Sequence, residues 1–554
     1  MEKKTRHFGF YIALILCFSW ALFFMGCNEG QDGSAGESSV VIRIVHPPEL
    51  NQYLSSLRES FYLSNPRIPG DIPVRLDFVS EAGPSAARRI ANGELKTDSW
   101  ITSSQSLLNL TNKKRVNLGP EQVDCITLFE TPLVVTVNKQ YQHLLGAEGG
   151  KVKWSKLMYN PNTDQAIVSE APFRLALSHT QPNTSSTGFS SLVLLAHLAG
   201  LSSGQPLDVK TTLDLSNNLR EILKRYESMV FAYPLGEEDL IYKAANSNSA
   251  RVRMGFTTEQ QLFQYSQRRK ENDAEMSALL PEEGTIWQEF TFCNSKADWV
   301  TPAKHAGIKL LRETLTSPEA KIGAERLGYR VSDISAADRL AAGSKAAARP
   351  LAEVPRLGHL EGEMVSLMLK EWPNLRKPSA LVFVLDASGS MEGDALSTAR
   401  ENFRRLLAVG SQRDIRALVT FSTNPKIEGD FSSNVQMLTR KLDQLQAVGG
   451  SAVYDGIKTA LDLIARSEAR AFRKLVLVLT DGDDKNSEIS ISSLLGIINR
   501  AKAERDFELQ ILAIKREGSD FSDLERIAQA ADGKVRTLSM FEMDQVFQEI
   551  SRGL

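Results

Sequence analysis

The stretch that decides the fold is ALVFVLDASGSMEGDAL, Ala380–Leu396. An unbroken apolar run, Ala380 to Leu385, ends on Asp386, Ser388 and Ser390 at alternate positions. A strand with one wet face alternates apolar and polar residues. A continuous apolar run marks a strand buried on both faces, as in a parallel sheet. Its polar end has two readings. Asp, Ser and Gly are ordinary turn residues. One carboxylate and two hydroxyls are also oxygen ligands for a hard cation.

Working outward, three further segments share the pattern: DIRALVTF, KLVLVLTD and FELQILAIK. Helix-period segments separate them, among them ALSTARENFRRLLAVG and AVYDGIKTALDLIARS. The fold class is therefore α/β, a doubly wound Rossmann-like unit with a mainly parallel central sheet. Ligands of such sheets bind beyond the carboxyl ends of the strands. Two more oxygen-bearing loops fall there: VGGSAVYDG, with Ser451, and VLTDGDD, with Asp481. A single such loop is a common turn, whereas three on the strand ends of one sheet point to one site. Asp483 and Asp484 read as a solvated acidic loop.

These motifs carry a resemblance. The segment expected to form a domain at 361–554 resembles a von Willebrand factor A domain, in DASGSM, in GGSAVYDGI and in LTDGDD. The resemblance implies a metal-ion-dependent adhesion site for Mg2+ (or Mn2+) at Asp386, Ser388, Ser390, Ser451 and Asp481. Ser451 stands where the family commonly has Thr, with the hydroxyl kept. Mg2+ takes about six oxygens at ~2.0–2.1 Å. Few charged ligands leave the ion electrophilic, so an acidic side chain of a partner protein can replace a water. No His or nucleophile–base pair accompanies these residues, and the expectation is binding rather than an enzyme.

From Val40 to Arg330, strand and helix patterns also alternate: VVIRIV, PVRLDFVS, TPLVVTVNK and FRLALSH are strands, and SAARRIANGEL is a helix. DSWITSSQSLLNL and SHTQPNTSSTGFSSLVLLAHLAG resemble segments of two-lobed periplasmic solute-binding proteins. The resemblance implies a two-lobed domain at 40–330, with a solute held by hydroxyls at helix starts: Ser103, Ser104, Ser185, Ser186 and Thr187. The expected solute is small and anionic. The same hydroxyls also serve simply as helix caps. His46-Pro47-Pro48 stand where the family usually offers Ser or Thr. An Ala-rich stretch at 331–360 reads as a linker, and GEMVSLMLKEW as a short amphipathic helix opening the second domain.

The start, MEKKTRH, is basic, and Phe8 to Met25 is uncharged and mostly apolar. Residues 1–26 read as a signal peptide. Gly26-Cys27 resembles a lipobox, which implies lipidation of Cys27 ahead of a flexible tether at 27–39; an uncleaved membrane anchor is the alternative. Either way the chain is expected outside the cytoplasm at a membrane. The net charge of −2 gives no pointer to nucleic acid. Cys125 and Cys293 lie in strand-like stretches and either pair or stay buried as thiols. The expected function is Mg2+-dependent protein–protein interaction, modulated by a solute in the amino-terminal cleft. The alternative is a solute receptor of an ABC-type transporter.

Overall fold

The structure, a computed structural model, describes residues 39–112, 119–147, 151–153, 159–160, 165–166, 174–202, 217–247, 251–331, 355–482 and 484–553. The expected signal peptide, tether and Cys27, most of the expected linker, and Asp483 lie outside these residues.

The amino-terminal part is organised by one sheet. Its strands are β1 (Val40–His46), β2 (Ile72–Ser80), β3 (Ser99–Thr102), β4 (Glu121–Asn138), β5 (Arg174–Ser178), β6 (Val230–Ala232), β7 (Arg251–Thr258), β8 (Met276–Pro281) and β9 (Trp287–Lys296). The order is β6-β5-β7-β4-β9-β3-β1-β2, with β8 paired to β4. The helices are α1 (Asn51–Leu63), α2 (Gly83–Ala91), α3 (Gln105–Thr111), α4 (Ser186–Ser202), α5 (Asn217–Ser228), α6 (Glu237–Ala245), α7 (Glu259–Arg268), α8 (Pro302–Leu315) and α9 (Pro318–Arg326).

β4 makes the two lobes. It pairs with β9 from Glu121 to Pro132 and with β7 from Leu133 to Val137. The expectation covered only TPLVVTVNK. The strand begins at Glu121, and Pro132 sits where its partners change, the kind of place a residue without an N–H can occupy in a sheet. Cys125 on β4 and Cys293 on β9 form a disulfide, which resolves the two alternatives for these residues.

α10 (Gly362–Leu375) departs from expectation. Met364, Val365, Met368, Trp372 and Leu375 lie on one helical stripe, and all are buried in the core of the amino-terminal part. Leu360 N donates to Ser106 Oγ at 2.9 Å, and Asn109 Nδ2 donates to Leu360 O at 2.9 Å, tying the helix entry to lobe one. A Cβ on Gly362 would come within 2.4 Å of Asn109 O, so the residue there must be Gly. At the other end, Trp372 Nε1 donates to Gln181 Oε1 of lobe two at 2.8 Å. The helix expected to open the second domain is thus a strap across both lobes of the first.

The carboxyl-terminal part is a six-stranded sheet between helices. Its strands are β10 (Ser379–Asp386), β11 (Ile415–Phe421), β12 (Pro425–Ser432), β13 (Arg473–Thr480), β14 (Glu508–Ile514) and β15 (Val535–Leu538). The order is β12-β11-β10-β13-β14-β15, all parallel except β12. Every residue of β10 and β13 is buried, as their continuous apolar runs require. One face packs on α11 (Asp394–Ala408), α12 (Val435–Asp443) and α16 (Met543–Gly553), the other on α13 (Val453–Ile464), α14 (Ile491–Glu504) and α15 (Ser522–Ala530).

The two parts meet at the amino ends of these strands. Arg253 of β7 pairs with Asp532 at 2.7 Å, Lys243 of α6 with Glu508 at 3.4 Å, and the Arg473 guanidinium lies 5.1 Å from the centre of the Tyr233 ring. The carboxyl ends, where the oxygen-bearing loops sit, are therefore left free of this contact.

Candidate functional site

β10 delivers Asp386 to the carboxyl end of the sheet, in the middle of the strand order. Asp386 Oδ1 accepts from Ser388 N at 2.8 Å, which folds the loop back over the strand end. Ser388 Oγ lies 3.0 Å from Ser390 Oγ, and Ser390 Oγ donates to Asp481 Oδ1 at 2.8 Å. Ser451 Oγ donates to Asp386 Oδ2 at 3.5 Å. The five residues singled out in the sequence thus converge.

The glycines of VGGS have separate reasons. Gly449 has φ +81°, the left-handed region, and its carbonyl accepts from Gly389 N at 3.0 Å. A Cβ on Gly450 would lie 1.8 Å from Asn486 Oδ1, the atom that receives Ser451 N at 3.0 Å. Asn486 therefore fixes the backbone that presents the Ser451 hydroxyl.

Asp386 is fully buried, and burial pushes its carboxyl up; the Ser388 and Thr480 hydrogen bonds pull it down, and the Asp481 charge raises it again. Thr480 Oγ1 donates to Asp386 Oδ2 at 2.7 Å. Asp481 Oδ2 is buried and accepts no hydrogen bond. The cation facing it is Arg516, whose Nη2 lies 2.5 Å from that oxygen and donates to Ser390 O at 2.6 Å. Two buried carboxylates and three hydroxyls, with one carboxylate oxygen held only by the Arg516 ion pair, fit a hard divalent cation. Asp386, Ser388, Ser390, Ser451 and Asp481 could hold it. The positive charge such an ion supplies would offset the repulsion between Asp386 and Asp481.

Three participants were not singled out in the sequence. Thr480 lies inside LTDGDD, but only the fold shows its hydroxyl turned to Asp386. Asn486 has no motif. Arg516 follows β14, and the rule that ligands gather at strand ends is the one signal that leads to it. The acidic loop also differs from expectation. Asp484 Oδ1 accepts from Tyr454 N at 3.1 Å and from Ser487 Oγ, so it fixes the start of α13 instead of standing in solvent.

Residues 380–550 match the family model of the von Willebrand factor type A domain. The human inter-alpha-trypsin inhibitor heavy chain H4 is 28% identical over 192 residues, 32% of this chain and 20% of the relative. An uncharacterised protein of Synechocystis is 26% identical over 189 residues, 32% of this chain and 42% of the relative. The chain thus matches less than half the length of either. Among solved structures, a von Willebrand factor type A protein from Catenulispora acidiphila is 20% identical, covering 32% of this chain and 42% of that one, with a TM-score of 0.28. A periplasmic thiamin binding protein is 12% identical, covering 61% of this chain and 96% of that one, with a TM-score of 0.40.

The amino-terminal hydroxyls divide into two groups. Ser104 Oγ accepts from Ser106 N at 3.2 Å and Ser185 Oγ from Gly188 N at 3.1 Å; both cap helix starts. Ser103, Ser186 and Thr187 face the seam between the lobes. A Cβ on Gly83 would lie 2.9 Å from Ser103 Oγ and 3.0 Å from Ser186 Oγ, so the lobes meet there. Thr187 Oγ1 accepts from Gln288 Nε2 at 3.3 Å. Each lobe also brings a carboxylate. Glu49 follows β1, with the Ser186 hydroxyl beside it; Glu237 opens α6 and accepts from Thr257 Oγ1 at 2.9 Å. Burial pushes both carboxyls up, Glu237 to about 7, and the Glu49 charge adds to the shift of Glu237. These carboxyls stand beside the start of α4, where the expected anionic solute would lie.

Proposed function

We propose that the protein is an extracytoplasmic, membrane-tethered binding protein whose carboxyl-terminal domain captures a partner through a divalent cation, Mg2+ or Mn2+, at Asp386, Ser388, Ser390, Ser451 and Asp481. The observation that carries the reading is the unbroken chain from Asp386 through Ser388 and Ser390 to Asp481, closed by Ser451. The partner offers an acidic side chain, because Ser388, Ser390 and Ser451 are neutral ligands that leave the ion electrophilic, and a carboxylate can replace a water at an open coordination position. The role is binding, not catalysis. Retention of partner proteins on the immobilised full chain tests it. Retention should persist in Mg2+, fall away in chelator, and be absent for Asp386→Ala in Mg2+. Equal retention in chelator would overturn the reading. Tethering through Cys27 belongs to the same proposal, supported by the basic start, the apolar run and Gly26-Cys27; mass spectrometry of the mature amino terminus reads it directly, and a mature chain still carrying Phe8 to Met25 would refute it.

The second reading is a solute receptor for a transporter. The observation favouring it is the placement of Glu49 and Glu237 on opposite lobes, at ends of β1 and α6 that face each other across the seam. On that reading the solute is cationic.

A further inference from the structure

Between lobe two and the carboxyl-terminal sheet lies a cavity of about 600 Å3. Leu175 and Phe231 line it from lobe two, and six basic residues line it further: Lys377, Arg466, Arg470, Arg473, Lys474 and Arg505. Two carboxylates, Glu504 and Asp506, share the lining.

The ion pairs show which charges are committed. Arg473 pairs with Glu508 at 3.1 Å, Arg466 with Asp430 at 2.5 Å, and Arg505 with Glu504. Asp506 pairs with Arg253 at 3.5 Å. Both cavity carboxylates are therefore paired, and the Asp506 charge also acts on Lys377 and Lys474, where it partly opposes the effect of burial. Lys377, Arg470 and Lys474 have no ion pair among the described residues. The Lys474 ammonium is buried and donates to two main-chain carbonyls, Phe472 O at 3.0 Å and Arg470 O at 3.3 Å.

Burial of an unpaired ammonium is costly. Burial pushes Lys377 down to about 8, and the charge of Lys474 pushes it further the same way; burial pushes Lys474 down as well. A volume of about 600 Å3 falls within the range of small-molecule sites. Lys474 is buried and Lys377 half-buried at this cavity, and Arg470 reaches it from an exposed position at its edge.

We infer that this cavity binds a small polyanion, a solute with two or more phosphate or carboxylate charges, held by Lys377, Arg470 and Lys474. Its place has a second consequence. Lys377 stands two residues before the strand that ends at Asp386, and Arg473 and Lys474 begin the strand that ends beside Asp481. The anion would sit at the opposite end of the two strands that carry the metal loops.

Calorimetry on the full chain, in Mg2+-free buffer at physiological salt, tests the proposal with inorganic pyrophosphate and citrate as probes. The two arms separate phosphate from carboxylate preference. Saturable binding of at least one probe is expected, weakened at least tenfold in Lys377→Gln, in Lys474→Gln and in Arg470→Glu. Arg470 is exposed, so its variant keeps the test valid if a lysine variant does not fold. Binding of neither probe at millimolar concentration, or binding that Arg470→Glu and Lys377→Gln leave unchanged, would overturn it.

Discussion

Arg516 places a guanidinium where the carboxyl-terminal site would hold a divalent ion or its immediate neighbour. It reaches Asp481 Oδ2 and the Ser390 carbonyl from the loop after β14. Guanidinium and metal compete for the same carboxylate oxygen. Arg516→Ala is therefore expected to tighten Mg2+ binding by roughly tenfold, about 1.4 kcal/mol, and to lower the melting temperature of the metal-free protein. Titration of Mg2+ into the variant, paired with a metal-free melt, checks both. Weaker Mg2+ binding in the variant would mean that Arg516 supports the ion instead of standing in for it. The five candidate residues were legible in the sequence because each is a short oxygen-bearing residue, four at the ends of β10 and β13 and Ser451 in the loop that joins α12 to α13. Arg516 was not: it lies 35 positions after Asp481, a distance that follows from their numbers, and no local pattern links a surface arginine to a carboxylate on the neighbouring strand.

At the scale of elements, the sequence shows periodicity well and partners poorly. The apolar runs of β10, β11, β13 and β14 were readable because strands buried on both faces show no polar–apolar alternation, their polar residues falling mainly near their ends. The edge strand β12 was not, since PKIEGDFS faces solvent along much of its length. Likewise α10 was legible as an amphipathic helix, but amphipathicity does not say which core receives the apolar face. That core belongs to the amino-terminal part. Trp372 shows what the strap does: its ring sits edge-on to His179 and Tyr233 of lobe two, at 5.6 and 5.5 Å between centres. Trp372→Ala should cost about 3–5 kcal/mol, and it leaves the Gln181 amide oxygen without its indole donor. Hydrogen exchange should then quicken in α3 and α5, the helices of the two lobes that α10 touches. Unchanged exchange in both would show that the strap does not hold the lobes.

The whole molecule is a two-lobed base carrying a second α/β unit by the amino ends of its strands. Arg253 with Asp532 and Lys243 with Glu508 fix that junction, with the side chains of both basic residues largely buried. The orientation leaves the carboxyl ends, and with them Asp386, Ser388, Ser390, Ser451 and Asp481, facing outward for a partner. The alternating strands and helices gave the α/β layering, and the two-lobed organisation was what the resemblance to solute-binding proteins implied. The acidic character of the lobe seam was not, because Glu49 and Glu237 stand far apart in the sequence and only closure of the sheet brings them together. The central claim is that the outward-facing loops hold a divalent cation, and titration calorimetry of Mg2+ into the metal-free full chain tests it most directly. The account predicts a saturable heat with one ion bound per chain, lost in an Asp386→Ala variant that still melts cooperatively. A wild-type chain that takes up neither Mg2+ nor Mn2+, or an Asp386→Ala variant that binds as tightly as wild type, would contradict it.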